Sequence, residues 1–380
     1  MKRLLFASLA LLGCFAPLAA DPASADTVSV YIGSYAKAAD QGIHHFKLDL
    51  SSGALTPAGG ASGVANPSFV AVSPDKKFLF AIGEAGLPGK KGGAVASFSI
   101  DEKTDDLKLI NVESSVGGGP CYVTADKSGK VVLVANYGGG SVASLPVSAD
   151  GKLSEAATFV QHAGSSVVKG RQGEPHAHSI NVSPDNKFAF AADLGLDKVL
   201  IYKLDPEKGT LTANDPAFVE IPPGSGPRHF AFHPSAKYAY VCGEMTSTVI
   251  AMSYDADKGA LKVIQSLSTL PEPVKGNSTA ECQVHPSGKF VYVSNRGHNS
   301  VAVFHVDEAT GKLTAAGHAP TGGKTPRNFG IDPTGKILIA ANQDSDNIVV
   351  FKIDEKTGMP HPAGQEVKVP KPVCVKFLQR

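Results

Sequence analysis

Imidazole, guanidinium and carboxylate side chains gather in a few short segments of this chain. They are Pro175-His176-Ala177-His178, Asp193, Gly226-Pro227-Arg228-His229, Glu244, Ala280-Glu281, Asn295-Arg296-Gly297-His298, Pro326-Arg327-Asn328 and Asn342-Gln343. Neutral imidazole accepts a proton near neutral pH, and a carboxylate can be tuned upward to do the same, so His178 and Glu281 are candidate general bases. Arg228 and Arg296 carry fixed positive charge of the kind that stabilises a developing oxyanion. His298 is a candidate acid for a departing oxygen. His176, His229, Asp193, Glu244, Arg327, Asn342 and Gln343 complete the set as candidate substrate-binding groups. The pair His176-x-His178 in an extended segment would point two imidazoles to one face, a metal-ligating pattern. No second compact ligand set accompanies it, and no metal is expected. The chain has no G-x-S-x-G elbow, no P-loop and no H-E-x-x-H, and no cofactor is expected.

What must position these residues is a repeat. One pattern recurs: Pro, an alternating apolar run, a Pro/Asp/Ser-Gly-Lys turn, then a second apolar run ending in Asn or Glu. Its clearest copies begin at Pro227, Thr279 and Pro326, weaker ones at Pro67, Pro120 and Ala177, and a last half-copy at Pro372. The mean spacing is about 51 residues, and each copy continues into a third and a weaker fourth run. Two-residue alternation, β-branched and aromatic enrichment and Gly-containing turns predict four strands per unit. Four antiparallel strands at this period make a propeller blade. Six complete units plus the half-copy predict an all-β, seven-bladed β-propeller. The segment from Pro372 supplies the inner strand of the last blade and residues 28–64 its other three. Pairing the two chain ends leaves no open sheet edge in the ring.

Antiparallel order then fixes which residues share an end of the central channel. Segments just before each inner strand and just after each second strand converge on one mouth. The Ser-Pro-Asp and Ser-Gly-Lys turns lie on the opposite face, where a structural role suffices. At the start of the inner strands the aligned residues are Ser68, Cys121, His178, Arg228, Ala280, Arg327 and Val373. After the second strands come Tyr35, Glu84, Asn136-Tyr137, Asp193, Glu244, Asn295-Arg296 and Asn342-Gln343. A repeat built for stability alone would place similar residues at equivalent positions. Here they differ, and the difference predicts a site at that mouth.

Composition bounds the rest. Of 380 residues, 42% are hydrophobic and 19% charged, with 36 basic against 35 acidic side chains. That is enough apolar material for a packed core, and it shows no overall attraction to nucleic acid or an anionic membrane. Forty Gly and 26 Pro suit a turn-rich fold, and the absence of Trp excludes a Trp-Asp repeat. Residues 1–25 read as a secretory signal peptide: Lys2 and Arg3, an apolar run from Leu4, and a small-x-small site at Ala23-Ser24-Ala25. A lipoprotein box ending at Cys14 is the competing reading. Residues 26–380 would then form the exported, periplasmic propeller, with no second run long enough to span a bilayer. Its four cysteines, Cys121, Cys242, Cys282 and Cys374, lie in strand-like runs without a CxxC pair and are expected as free thiols. Nothing in the sequence sets an oligomeric state.

The same motifs carry a resemblance. Pro175-His176-Ala177-His178, Gly226-Pro227-Arg228-His229, Glu281, Ser294 to Ser300 and Pro326-Arg327-Asn328-Phe329 are similar to the lactonase family of seven-bladed propellers. So are Tyr31-Ile32-Gly33-Ser34-Tyr35 and Ala341 to Asn347, and the similarity runs from about residue 28 to 378. That family includes 6-phosphogluconolactonases and carboxymuconate lactonizing enzymes. The resemblance implies a site in the channel mouth using His178, Arg228, Glu281, Arg296 and Arg327 or close neighbours. It implies a small sugar lactone as partner. Export makes unphosphorylated glucono-1,5-lactone, opened to gluconate, the expected substrate. The alternatives are the phosphorylated lactone, a muconate closed by cycloisomerisation, and a non-catalytic exported propeller that binds a ligand or partner at the same mouth.

Overall fold

A computed structural model describes residues 27–380 apart from 38, 39 and 88. The signal-peptide reading of residues 1–25 and the competing Cys14 reading lie outside the described residues. Seven four-stranded antiparallel sheets follow one another around the ring. Their inner strands are Val70–Val72, Pro120–Ala125, Ala177–Val182, Pro227–Phe232, Ser278–Val284, Pro326–Ile331 and Pro372–Leu378. These starts match the predicted repeat to within one residue except in the first copy, where ladder pairing begins three residues later than Pro67. The closing blade takes its inner strand from Pro372–Leu378 and its others from Thr27–Ser34, Ile43–Asp49 and Leu55–Ala61. Val30 pairs with Phe377 and Ile32 with Val375, so the two chain ends zip together. Among the described residues the one helical element is a 3-10 turn, Gln343–Ser345. No helix there is long and apolar enough to cross a membrane.

The core is a series of apolar layers between neighbouring blades, as alternating strands buried on both faces require. One such layer packs Phe290, Tyr292 and Val303 of the fifth blade against Leu338, Ala340 and Phe351 of the sixth. Polar staples fix the register between blades. The hydroxyls of Tyr240, Tyr292 and Tyr31 donate to the carbonyls of Gly311, Gly358 and Asp105, each in the outer turn of the next blade. On the face opposite the candidate residues, His233 Nε2 donates to the Gly288 carbonyl and His285 Nε2 to that of Gly335, both at 2.8 Å. Gly288 has φ +78°, and a Cβ there would lie 2.7 Å from His233 Nε2. The Ser-Gly-Lys turn is therefore structural, as the sequence predicts.

Candidate active site

Except in the first blade, each inner strand enters the channel through a break in its ladder. Pro120 pairs with Asn136 and Tyr122 with Ala135, leaving Cys121 as an extra residue. The same register shift isolates His178, the pair Arg228 and His229, the pair Ala280 and Glu281, and Arg327. A bulge of this kind re-aims a side chain. Here it turns the residue at the start of the inner strand toward the axis in blade after blade.

The upper funnel contains His178, Arg228, Arg327 and Cys121, rimmed by residues from the second strands and loops. Cys121 Sγ lies 3.6 Å from His178 Nδ1. The Tyr137 ring stacks on His176 at 4.6 Å and meets His178 edge-on at 5.2 Å. Glu244 is the hub of the charges. Its Oε2 accepts Arg228 Nε and pairs with Arg296 Nη2, both at 3.0 Å, and its Oε1 accepts Arg171 Nη2 at 2.8 Å. Arg228 and Arg296 are anchored a second time, on the carbonyls of Ala280 (2.6 Å) and Thr279 (2.8 Å). Arg327 stands over the Tyr35 ring, and the Ser68 hydroxyl donates to Glu84.

A second tier lies deeper. His229 touches His178, Tyr122 and Phe69 edge-on at 5.3, 5.2 and 5.6 Å. Its Nδ1 shares a 2.9 Å hydrogen bond with Glu281 Oε2, and the Asn328 amide donates to the same oxygen. Glu281 and Lys376 line a cavity of about 390 Å³ with Tyr122, Asn181, Phe230 and Gln283. That cavity is built from deeper residues of the inner strands, so Glu281 belongs to the far side of the aromatic contacts around His229.

Burial and charge separate the titrating groups. Burial, then the Arg228 guanidinium, pushes both His178 and His229 well below the ordinary imidazole range, so both are neutral near pH 7. Burial opposes ionisation of Glu244, but Arg296 and Arg228 outweigh it and hold that carboxyl well below the usual range. Glu281 lacks such compensation: burial pushes it up to about 7, with Lys376 and Arg228 opposing only in part. Burial pushes the Cys121 thiol up to about 12, which removes it as a thiolate nucleophile. Arg296 is pushed down to about 10 by burial and by Arg228, and stays charged near neutrality.

Glu281 gives a direct test of this electrostatic picture. A carboxyl whose folded-state pKa is raised favours the fold most at low pH, and that contribution is lost as pH climbs from about 4.5 through about 7. Glu281→Gln mimics the neutral form. Its melting temperature relative to wild type is expected to rise between pH 5 and pH 8, and a flat difference would remove the shift.

The structure thus brings together His176, His178, Arg228, Glu244, Arg296 and Arg327, and puts His229 and Glu281 one tier down. It takes four predicted residues elsewhere. His298 Nδ1 is held at 2.7 Å by the Ser300 hydroxyl, and its ring meets His318 of the outer strand, so it does not serve the funnel. Asp193 is fully buried and accepts from His162 Nδ1 and from the backbone N–H groups of His176 and Gly195. The Asn342 amide donates to Thr321 O at the end of the preceding blade, as Asn295 does to Thr269 O. Gln343, in the 3-10 turn, donates to Asp344. A second strand lies one strand away from the axis. Asn136, Asp193, Asn295 and Asn342, which pair with the start of the inner strand, tie loops, whereas Tyr137, Glu244 and Arg296 one position later reach the funnel.

Two contributors were missed. Arg171 comes from the loop between Gln161 and Ala177, outside the repeat; its trace in the sequence is that the spacing from Pro120 to Ala177 is the longest of all. Lys376 is an ammonium interrupting the otherwise apolar last strand, and that interruption was its signal. Of the four cysteines, Cys242, Cys282 and Cys374 are buried free thiols as expected, whereas Cys121 is free but partly exposed in the funnel.

Comparison with known proteins agrees with this architecture. The family model described as lactonase, 7-bladed beta-propeller, matches residues 29–377. A curated Bacillus subtilis relative, named 6-phosphogluconolactonase, is 38% identical over 351 residues, which is 92% of this chain and 98% of that one. A Formosa agariphila relative of the same name is 36% identical over 304 residues, 79% of this chain and 85% of that one. A solved structure of a Pseudomonas aeruginosa periplasmic gluconolactonase superposes with a TM-score of 0.86 at 33% identity, covering 93% of this chain and 99% of that one.

Proposed function

The chain belongs to the lactonase family of seven-bladed β-propellers, and from that premise we propose that its upper funnel opens glucono-1,5-lactone to gluconate. The observation that carries this reading is a buried His178 in a funnel where the guanidiniums of Arg171, Arg228, Arg296 and Arg327 outnumber the two carboxylates, Glu244 and Glu84. Hydrolysis needs an activated water, a stabilised tetrahedral oxyanion and a proton for the departing ring oxygen. With Nδ1 turned toward Cys121, His178 Nε2 takes the proton of the attacking water as the water oxygen bonds to the lactone carbonyl carbon. Arg296 and Arg327 face the oxyanion that forms. Arg228 is buried on Glu244 and the Ala280 carbonyl, and supplies positive field from below rather than direct contact. When the ring C–O bond breaks, His178 returns its proton to the leaving oxygen, the role the sequence had suggested for His298. The carboxylic acid product ionises among the arginines.

Two lines support an unphosphorylated substrate: the signal-peptide reading of residues 1–25, and a neighbour whose printed name is a periplasmic gluconolactonase. The guanidinium excess, and relatives named 6-phosphogluconolactonase, favour a second reading in which the lactone carries a 6-phosphate. Titrating acid release at constant pH, with spontaneous opening subtracted, compares the two lactones on the purified chain. The expected result is turnover of glucono-1,5-lactone with kcat/KM at least about tenfold above that of the phosphorylated lactone. The reverse ratio would establish the second reading, and no acceleration of either would reject aldonolactone hydrolysis.

A further inference from the structure

Glu244 has two oxygens and three guanidinium partners, and the three are not held alike. The Arg228 and Arg296 side chains are 2% and 13% exposed, and each is tied to a backbone carbonyl as well as to Glu244. The Arg171 side chain is 47% exposed. Its other contact is the Tyr137 hydroxyl at 3.3 Å, a long hydrogen bond to a neutral acceptor. Only the arginine end of this pair is half-exposed, the Glu244 side chain being 8% exposed, so water screens it more than it screens the two buried pairs. Withdrawing Arg171 from Oε1 leaves Glu244 still neutralised by two buried guanidiniums, so no buried charge is stranded. Arg171 is the member of the hub that a ligand reaches first and displaces at least cost.

Its backbone, in contrast, is fixed. Gln172 is fully buried, its amide donates to Leu194 O at 2.9 Å, and its Oε1 accepts from Val168 N at 3.0 Å. Ser166 Oγ donates to Asp197 at 2.6 Å, pinning the other limb of the loop. A rigid loop therefore carries one movable, planar, permanently charged fork at the rim. That geometry suits two-point recognition of an oxyanion, which a lysine ammonium matches poorly.

We propose that Arg171 is the specificity residue that reads negative charge on the ligand: its guanidinium lets go of Glu244 Oε1 and donates instead to an oxyanion group of the ligand. The group is a phosphate ester or the carboxylate that ring opening creates; both present the same oxygens to the fork. The proposal rests on the lactonase reading for the identity of the ligands, but its main readout is binding and not turnover. Calorimetric titration of the full chain uses three probes: gluconate, which carries only the carboxylate; glucose 6-phosphate, which carries only the phosphate; and 6-phosphogluconate, which carries both. Arg171→Gln is expected to weaken the anions that bind wild type by about 10- to 100-fold, the worth of one charge-assisted contact. Arg171→Lys recovers part of the loss. The effect on KM for uncharged glucono-1,5-lactone is smaller by at least about tenfold. Which single-anion probe is weakened tells which group the fork holds. Equal losses for charged and uncharged ligands, unchanged anion binding in Arg171→Gln, or a wild type that binds none of the three probes would overturn the proposal. Anion binding weakened in Arg171→Gln, in a wild type that hydrolyses no lactone, would refute the hydrolase reading and leave Arg171 its role.

Discussion

Replacing His178 with alanine is expected to lower kcat/KM for the lactone by about 10²- to 10⁴-fold, the range spanned by loss of a positioned general base. The loss should fall mainly on kcat, because the imidazole does its work on the attacking water. The pH profile carries a second signature. The base acts only when neutral, and burial together with Arg228 lowers its pKa. The acid limb of background-corrected kcat/KM should accordingly lie well below the ordinary imidazole value in the wild type and vanish in His178→Ala. A variant within threefold of wild type, or an acid limb at or above the ordinary imidazole value, would remove His178 from the role. Unchanged melting of the variant would show that the loss is chemical, since His178 is linked to its neighbours mainly by ring contacts and the Cys121 sulfur.

Glu244→Ala should damage both fold and function. It leaves Arg228 buried with no carboxylate, and Arg296 nearly so. Breaking a buried ion pair by removing one partner costs about 3–5 kcal/mol, because the remaining charge stays desolvated and unpaired. The expected outcome is a large fall in melting temperature, together with a kcat/KM loss of about 10²-fold or more as Arg296 loses its aim. Glu244→Gln keeps the shape and one acceptor, and should fall between. The wild-type carboxyl is held ionised well below its usual range, so its stabilisation is fully present above that range and is lost progressively as pH falls from there through the lowered folded-state value. In acid, wild type should converge on Glu244→Gln. A Glu244→Ala variant that melts with wild type would contradict the hub.

The proposed Arg171 role and the Glu244 prediction meet at one carboxylate from opposite sides. Loss of Glu244 strands the buried arginines, whereas loss of Arg171 strands nothing. The first change should therefore show in stability and the second in ligand preference.

The sequence alone determined the ring. Each strand is written in two-residue alternation and each turn in Gly, Pro, Asp or Ser, and both are local signals that survive without knowledge of neighbours. Counting copies gave seven blades, the half-copy at Pro372 gave the closure, and antiparallel order gave the mouth where His178, Arg228 and Arg327 meet. Only the tertiary structure decided how far each side chain reaches. Asp193 ends its strand while Glu244 lies one residue past the end of the equivalent strand, and that single step separates a carboxylate sealed under His162 from one that gathers three arginines. Glu281 shares its bulge with Ala280 and drops to the lower tier, a choice of face that a single extra residue makes. Arg171 arrives from a loop that belongs to no repeat. Such outcomes depend on contacts between blades far apart in the chain, and alternation within one strand carries no record of them.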